Sequence, residues 1–216
     1  MELTLSSIPE KEALRYLGVR GAVPADLLEQ VRDACRFLLP HCTARYVWRL
    51  LDKADLSDLL VGQDLPTLLR DCDKAAVFAL TLGPGPEALI RRAGLTSPTR
   101  ALILDACASA ACEQACDDLQ RLLEGQLCRQ GRFPTDRFSP GYGDLPLEVQ
   151  RPLLDLLEGQ RRCGITLSDT FIMSPRKSVT AVFGLADRPQ GKRARGCAFC
   201  SMNQNCSFRK AGITCA

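Results

Sequence analysis

The chain has 216 residues, a length that suits one compact domain, or one domain with a small appendage. Its 46% apolar and 25% charged residues are ordinary for a soluble globular protein, and a net charge of +3 is too small to indicate nucleic-acid binding. No run approaches the roughly 18 apolar residues of a membrane span, and the start lacks the features of a signal peptide, so we expect a cytoplasmic protein without membrane or nucleic-acid partners.

The first third of the chain alternates helix and strand patterns. Apolar residues at helical spacing within 23–40 predict a helix that ends before Pro40. Residues 44–51 and 73–83 are predicted strands, and the second is almost continuously apolar, which is typical of a buried central strand. A turn and a short helix follow over 83–94. The chain has a single histidine, His41, which we expect on the surface. One histidine is too few for a histidine-rich metal site.

A long helix is predicted from Ser97, a capping residue followed by proline, over about 28 residues. Its first half is nearly all apolar or small, so it should lie in the core. Asp105, Ser109 and Glu113 interrupt that pattern four residues apart and form one polar stripe. A buried carboxylate needs a cation, a set of donors or a solvent-filled groove. Arginines of the same fold could equally satisfy the stripe.

The next segment, RFSPGYGDLP at 137–146, combines two prolines and two glycines around Tyr142. Glycine lets the backbone approach a ligand closely, and proline stiffens the loop and lowers the entropy lost on binding. Tyr142 offers a ring or a hydroxyl, and Arg137 offers a planar fork for a carboxylate or phosphate. These residues favour recognition of a flat heterocycle with an acidic group. The alternative is a structural loop in which Tyr142 packs down as an anchor.

The remaining elements are an amphipathic helix over 146–164 and two short strands around a Ser-Pro turn within 165–186. From Arg188 the sequence becomes basic and reads as a linker. We therefore predict a folded domain over 1–187 and a basic linker with a cysteine-rich tail over 188–216.

The motif RFSPGYGDLPLEVQ, followed by CGITLSDTFIMSPRKSVTAVFG, closely resembles the activation (reactivation) domain of cobalamin-dependent methionine synthase. That family carries an arginine, two variable residues and then Pro-Gly-Tyr, and it binds S-adenosylmethionine there. The resemblance covers most of residues 10–186 and lies especially with free-standing versions of the domain. It implies an α+β fold with a central, largely antiparallel sheet and long helices.

The resemblance implies roles for four residues of the 137–146 segment. Arg137 would hold the methionine carboxylate of S-adenosylmethionine. Ser139, Gly141 and Tyr142 would line the adenosine through backbone and ring contacts.

The same resemblance assigns residues on the long helix and in the later segment. Glu113, with Asp105 as a second candidate, would meet the ammonium or sulfonium of the ligand, because a cation in a partly dry pocket needs negative charge nearby. Ser109 could occupy the family's glutamate position instead. Ser178 and Val179 match a segment that borders the pocket.

Twelve cysteines without a secretion signal indicate a reducing compartment, with thiols or metal ligands rather than disulfides. Cys107, Cys112 and Cys116 on the long helix are interpreted as small core residues rather than ligands. Four more lie in the tail with spacers of two, five and eight residues: Cys197, Cys200, Cys206 and Cys215. This set fits either zinc or an iron–sulfur cluster, and a disordered tail or a redox dithiol at the first pair is the alternative.

The resemblance implies a reactivation protein for a separate corrinoid-binding methionine synthase core, in which cob(II)alamin is reductively methylated by S-adenosylmethionine. The cobalamin would belong to the partner, and a flavodoxin or ferredoxin would donate the electron. Such a chain contributes to methyltransferase activity, and so to methionine biosynthesis, only in complex with its partner. Two alternatives stay open: an iron–sulfur reductive activator, or a non-catalytic interaction partner, of another corrinoid methyltransferase.

Overall fold

The computed structural model describes residues 1–190 and, beyond them, Gln204 and Lys210. This part of the chain contains both helices and strands, as the sequence predicts. The helices are α1 (Glu10–Tyr16), α2 (Ala25–Leu38), α3 (Asp64–Leu68), α4 (Gly85–Gly94), α5 (Pro98–Cys128), α6 (Gln150–Leu157) and α7 (Gly159–Cys163). The strands are β1 (Glu2–Leu3), β2 (Ala44–Asp52), β3 (Lys74–Thr81), β4 (Phe133–Pro134), β5 (Thr166–Leu167), β6 (Met173–Ser174) and β7 (Ser178–Ala186).

Five strands form one sheet in the order β1-β2-β3-β7-β4, and β5 pairs with β6 in a separate antiparallel hairpin. β1 runs antiparallel to β2, and β4 runs antiparallel to β7. The Thr43 N–H donates to the Leu82 carbonyl, and the Lys53 N–H donates to the Asp73 carbonyl, so β2 and β3 are antiparallel too. The predicted fold class, α+β with an antiparallel sheet and long helices, is confirmed.

The central strands of the sheet are buried. Residues 75–81 of β3 are all buried, and so is nearly all of β7. A strand that is covered on both faces reads as a continuous apolar run, which explains why this strand could be located from the sequence.

Helix α5 is the longest element of the described chain, with 31 residues. The Ser97 hydroxyl accepts a hydrogen bond from the Arg100 N–H at 3.3 Å, and Pro98 is the first helical residue, so the predicted cap is confirmed. Alanine and cysteine fill its buried face between Ala106 and Cys116, where small side chains allow close packing of neighbouring elements.

The single helix predicted over 146–164 is wrong, because the chain breaks it into a short 3₁₀ turn, α6 and α7. The break is at Glu158, whose φ of 52° is left-handed. Gly159 follows it, and a Cβ on Gly159 would lie 2.6 Å from Leu154 Cδ2. Glutamate is a good helix former, so the pattern of the sequence held no sign of the break. The end at Gly164, with φ 73°, is as predicted.

The Ser-Pro turn at 174–175 lies between β6 and β7, as expected. β7 differs from the expectation in length, since it has nine residues and belongs to the main sheet rather than to a short local pair. Polar and apolar residues alternate at the start of β7, and a continuous apolar run follows. This pattern fits a strand whose later residues lie in the core.

The chain divides into two compact units. The first unit comprises Met1–Val47, Ala79–Leu123 and Leu154–Val179, and the second comprises Trp48–Phe78, Glu124–Leu153 and the described residues from Thr180 onward. The boundary between a domain and a tail near residue 187 stays a prediction. None of the helices in the described residues is long and apolar enough to cross a membrane.

Candidate functional site

The polar stripe of α5 lies in the first unit. Asp105, Ser109 and Glu113 are each half-buried, whereas their neighbours on the helix, such as Ala108 and Ala110, are fully buried. The spacing of four residues therefore does place three polar side chains together at the margin of an apolar helix face. A stripe in this position needs partners for its charges.

Lys177 contacts two members of this stripe, Asp105 and Ser109. Its ammonium lies 2.9 Å from Asp105 Oδ1 and donates to Ser109 Oγ at 2.9 Å. The Ser109 hydroxyl in turn donates to the Asp105 carbonyl at 3.1 Å, so its oxygen is available as an acceptor for Lys177. At Asp105 the cation is a lysine 72 positions away in the chain, and not one of the arginines that the sequence alternative named.

Ser178, predicted to border a ligand pocket, is buried in a local network. Its hydroxyl lies 2.6 Å from the Pro175 carbonyl, which can only accept, and 2.8 Å from Thr81 Oγ1. The Thr81 oxygen also accepts from the Gly83 N–H at 3.1 Å. This network ties the start of β7 to the end of β3. Val179 beside it is half-buried.

The segment 137–146 belongs to the second unit and has a defined backbone. Phe138 forms an antiparallel bridge with Val182, with two backbone hydrogen bonds of 2.8 Å. The Gly141 N–H donates to the Leu145 carbonyl at 2.9 Å, which closes the turn. Gly141 has a φ of 88°, a value that favours glycine over any residue with a Cβ. The loop is therefore held before any ligand arrives.

Two aspartates hold the tip of this loop to the start of α3. The Asp144 carboxylate accepts from the Gln63 N–H at 2.7 Å and from the Asp64 N–H at 3.1 Å, and Asp64 Oδ2 accepts from the Asp144 N–H at 3.3 Å. We call this reciprocal contact the aspartate pair. Gly143, with φ 54°, lies so close that a Cβ there would overlap Asp64 Oδ2. Sequence reasoning missed the pair, whose members are 80 residues apart.

The loop buries its apolar residues and presents its polar ones. Phe138 and Leu145 are 8% and 1% exposed, whereas Tyr142 is 46% exposed. The anchoring role that the structural alternative gave to Tyr142 therefore falls to these two residues. Arg137 and Ser139 are half-buried. A rigid backbone that offers a phenol, a guanidinium and a hydroxyl is suited to binding a polar heterocyclic ligand.

Three cysteines of α5, Cys107, Cys112 and Cys116, are core residues, as predicted. Cys107 and Cys116 are fully buried, and Cys112 is 5% exposed. The Cys107 thiol lies 3.5 Å from the Cys35 sulfur, and this contact together with burial raises its pKa. Burial raises the pKa of the Cys42 thiol to about 12. Thiols that stay protonated at neutral pH are poor nucleophiles and poor metal ligands.

The predicted metal ligands Cys197, Cys200, Cys206 and Cys215 lie outside the described residues. Within the described part of the chain, no group of three or more histidine, cysteine or acidic side chains could hold a metal ion. His41 is exposed there, as expected.

Among solved structures, the chain is similar to the crystal structure of the MetH reactivation domain bound to AdoHcy. The TM-score is 0.64 at 15% sequence identity, and the similarity covers 99% of this chain and 85% of that chain. No protein-family model matches the chain, and no curated protein matches it either. The structural similarity establishes the fold: this chain has the fold of the MetH reactivation domain.

Proposed function

We propose that the chain binds S-adenosylmethionine and supports the reductive methylation of cob(II)alamin in a separate cobalamin-dependent methionine synthase. The observation that carries the proposal is the fold shared with the MetH reactivation domain over nearly the whole chain. That domain binds AdoHcy, which is S-adenosylmethionine without its transferable methyl group. The motif RFSPGY at 137–142, where the resemblance places ligand binding, supports the same assignment independently.

In the second unit, Arg137 would bind the ligand carboxylate through its planar fork, because two parallel charge-assisted hydrogen bonds fix both orientation and distance. Ser139, Gly141 and Tyr142 would line the adenosine. The exposed ring of Tyr142 and the fixed backbone at Gly141 support these roles. Because the loop is already held by the aspartate pair, little conformational entropy would be lost on binding.

In the first unit, Glu113 would meet the ammonium or sulfonium of the ligand. It is half-buried, and a carboxylate in such a position interacts with a cation more strongly than it would in bulk water. Asp105 stays the second candidate, although its carboxylate is already engaged by Lys177. Ser178 and Val179 would border the pocket through their backbone, since the Ser178 hydroxyl is engaged by Thr81 and Pro175.

The chemistry itself belongs to the cobalamin of the partner. After reduction by one electron from a flavodoxin or ferredoxin, that cobalamin would supply the nucleophile that accepts the methyl group of S-adenosylmethionine, and S-adenosylhomocysteine would be released. The chain contributes binding and orientation of the methyl donor, which can supply a large part of the acceleration of a two-component reaction. The chain would act in the cytoplasm and would support methionine biosynthesis.

Equilibrium calorimetry with S-adenosylmethionine and S-adenosylhomocysteine tests the binding half of the proposal. We expect both ligands to bind with a stoichiometry of about one per chain, as one domain of this fold implies. If neither ligand binds, the proposal is overturned. A non-catalytic interaction partner of a corrinoid protein would then be favoured.

The second candidate function is an iron–sulfur reductive activator, and the four tail cysteines are the observation that favours it. Anaerobically purified protein would then be brown and would contain iron. If Cys197→Ser and Cys200→Ser together remove bound metal without weakening S-adenosylmethionine binding, the tail has a metal site separate from the ligand site. Unchanged metal content would exclude the four-cysteine set.

A further inference from the structure

Lys177 holds an unusual position for a lysine in this protein. Its side chain is only 13% exposed, whereas the carboxylate it pairs with, on Asp105, is 47% exposed. Lysine is rarely buried to this extent unless its ammonium is fully paired, and here it has both Asp105 and Ser109 as partners. A largely buried ammonium is therefore held at the stripe by a carboxylate and a hydroxyl.

The backbone fixes where this charge lies. The Lys177 carbonyl accepts the Leu82 N–H at 2.9 Å, which joins the start of β7 to the end of β3. The neighbouring Arg176 N–H is bound by the Glu87 carboxylate. With backbone contacts on both residues, the stem of Lys177 starts from a defined point, and its ammonium reaches the same carboxylate in every molecule.

The consequence is a reduced negative charge at the stripe, because Lys177 offsets Asp105. A carboxylate beside the ligand favours a sulfonium over a neutral thioether, and a lysine ammonium paired with that carboxylate weakens its share of the preference. We propose that Lys177 is a specificity-determining residue that limits how strongly the site prefers S-adenosylmethionine over S-adenosylhomocysteine. This inference rests on the proposed function and extends it to a residue that the family resemblance does not assign.

The change of charge during the reaction gives a physical reason for this pairing. The positive charge on sulfur disappears as the methyl group leaves for cobalt, so a strong negative field at the sulfonium would stabilise the bound reactant more than the transition state. By offsetting the charge of Asp105, Lys177 reduces that penalty.

The test is calorimetry of both ligands on the full chain and on Lys177→Met, which keeps much of the apolar stem and deletes the charge. We expect the ratio of the two affinities to shift toward S-adenosylmethionine by about threefold to tenfold, because the Asp105 carboxylate loses its cation in a partly solvated site. Because both ligands carry the same ammonium, carboxylate and adenosine, the ratio isolates the effect at sulfur.

Three further variants make the result specific. Lys177→Arg keeps the charge and should keep the wild-type ratio. Asp105→Asn combined with Lys177→Met removes both charges and should return the ratio to the wild-type value. Lys74→Met breaks an ion pair of the same kind with Asp52 on the main sheet and should leave the ratio unchanged.

The outcomes separate this inference from the proposed function. If the wild-type chain binds both ligands and Lys177→Met leaves their ratio unchanged, Lys177 is a purely structural partner of the stripe and the inference is overturned alone. A fall in thermal stability without a change in ratio has the same meaning. If the wild-type chain binds neither ligand, the proposed function fails and the inference fails with it.

Discussion

The α5 stripe and the 137–146 loop use polar residues in opposite ways. At the stripe, the side chains of Asp105 and Ser109 both contact the ammonium of Lys177, so the charge of Asp105 is paired. At the loop, Asp64 and Asp144 are directed to backbone N–H groups, so the structure fixes geometry. Side-chain pairing therefore sets the charge of the stripe, and side-chain contacts with the backbone set the conformation of the loop.

The largest effect on stability is expected from Gly143→Ala, which would distort the backbone of the loop. A Cβ there would overlap the Asp64 carboxylate and would also lie 3.1 Å from Phe138 Cζ, at a φ of 54° that already disfavours alanine. We expect the free energy of unfolding to fall by about 2–4 kcal/mol, measured by chemical denaturation.

Gly131→Ala is the matched control for that prediction. Its φ is 73°, but a Cβ would meet nothing within 4 Å, so only the backbone cost of about 1 kcal/mol applies. Equal losses in the two variants would show that the contact with Asp64 has no energetic weight.

Arg137→Ala should have the next largest effect, and on ligand binding rather than on folding. Loss of a charge-assisted pair with the ligand carboxylate should weaken S-adenosylmethionine binding by about 1.5–3 kcal/mol in calorimetry, with little change in the melting temperature. Arg129→Ala, at an exposed arginine just after α5, is the control. Wild-type affinity in Arg137→Ala would remove this residue from the site.

Asp144→Ala breaks the aspartate pair without adding atoms. Two backbone N–H groups, on Gln63 and Asp64, lose their acceptor, so we expect a loss of about 1–2 kcal/mol in stability. Asp155→Ala, an exposed helix position, should change stability by less than about 0.5 kcal/mol. If loop order matters for binding, S-adenosylmethionine affinity falls in Asp144→Ala alone; equal affinity in both variants would contradict the idea that the pair prepares the loop.

Glu113→Gln is expected to have the smallest effect and to act on charge alone. The affinity for S-adenosylmethionine should fall by about 1 kcal/mol, and the affinity for S-adenosylhomocysteine should fall less, because its sulfur is neutral. Asp117→Asn, an exposed position one turn further along α5, should change neither. Equal losses for both ligands would mean that Glu113 meets the ammonium or has a structural role.

The sequence predicted well those elements that are determined by residues close together in the chain. The buried strand β3 is a continuous apolar run, and α5 begins at a serine cap followed by proline, so both could be located without knowledge of their neighbours. The break at Glu158 could not, because it depends on how closely Gly159 approaches Leu154, and an amphipathic pattern does not record that distance.

The candidate site shows the same division. The stripe and the loop were recognisable from spacing and composition, since three polar residues four apart and two glycines around a tyrosine are local patterns. Their partners were not, because Lys177 and Asp64 are far from them in sequence and carry no local mark of the pairing. A charged residue's partner is decided by the packing of the chain, which only the structure reveals.

The central claim is most directly tested by following the cobalamin spectrum of a methionine synthase core that lacks its own reactivation domain, trapped as cob(II)alamin. With reduced flavodoxin and S-adenosylmethionine present, we predict that methylcobalamin forms when this chain is added and that S-adenosylhomocysteine cannot replace S-adenosylmethionine. Methylcobalamin formed at the same rate without the chain, or none formed with it despite measurable ligand binding, would contradict the assignment as a reactivation protein.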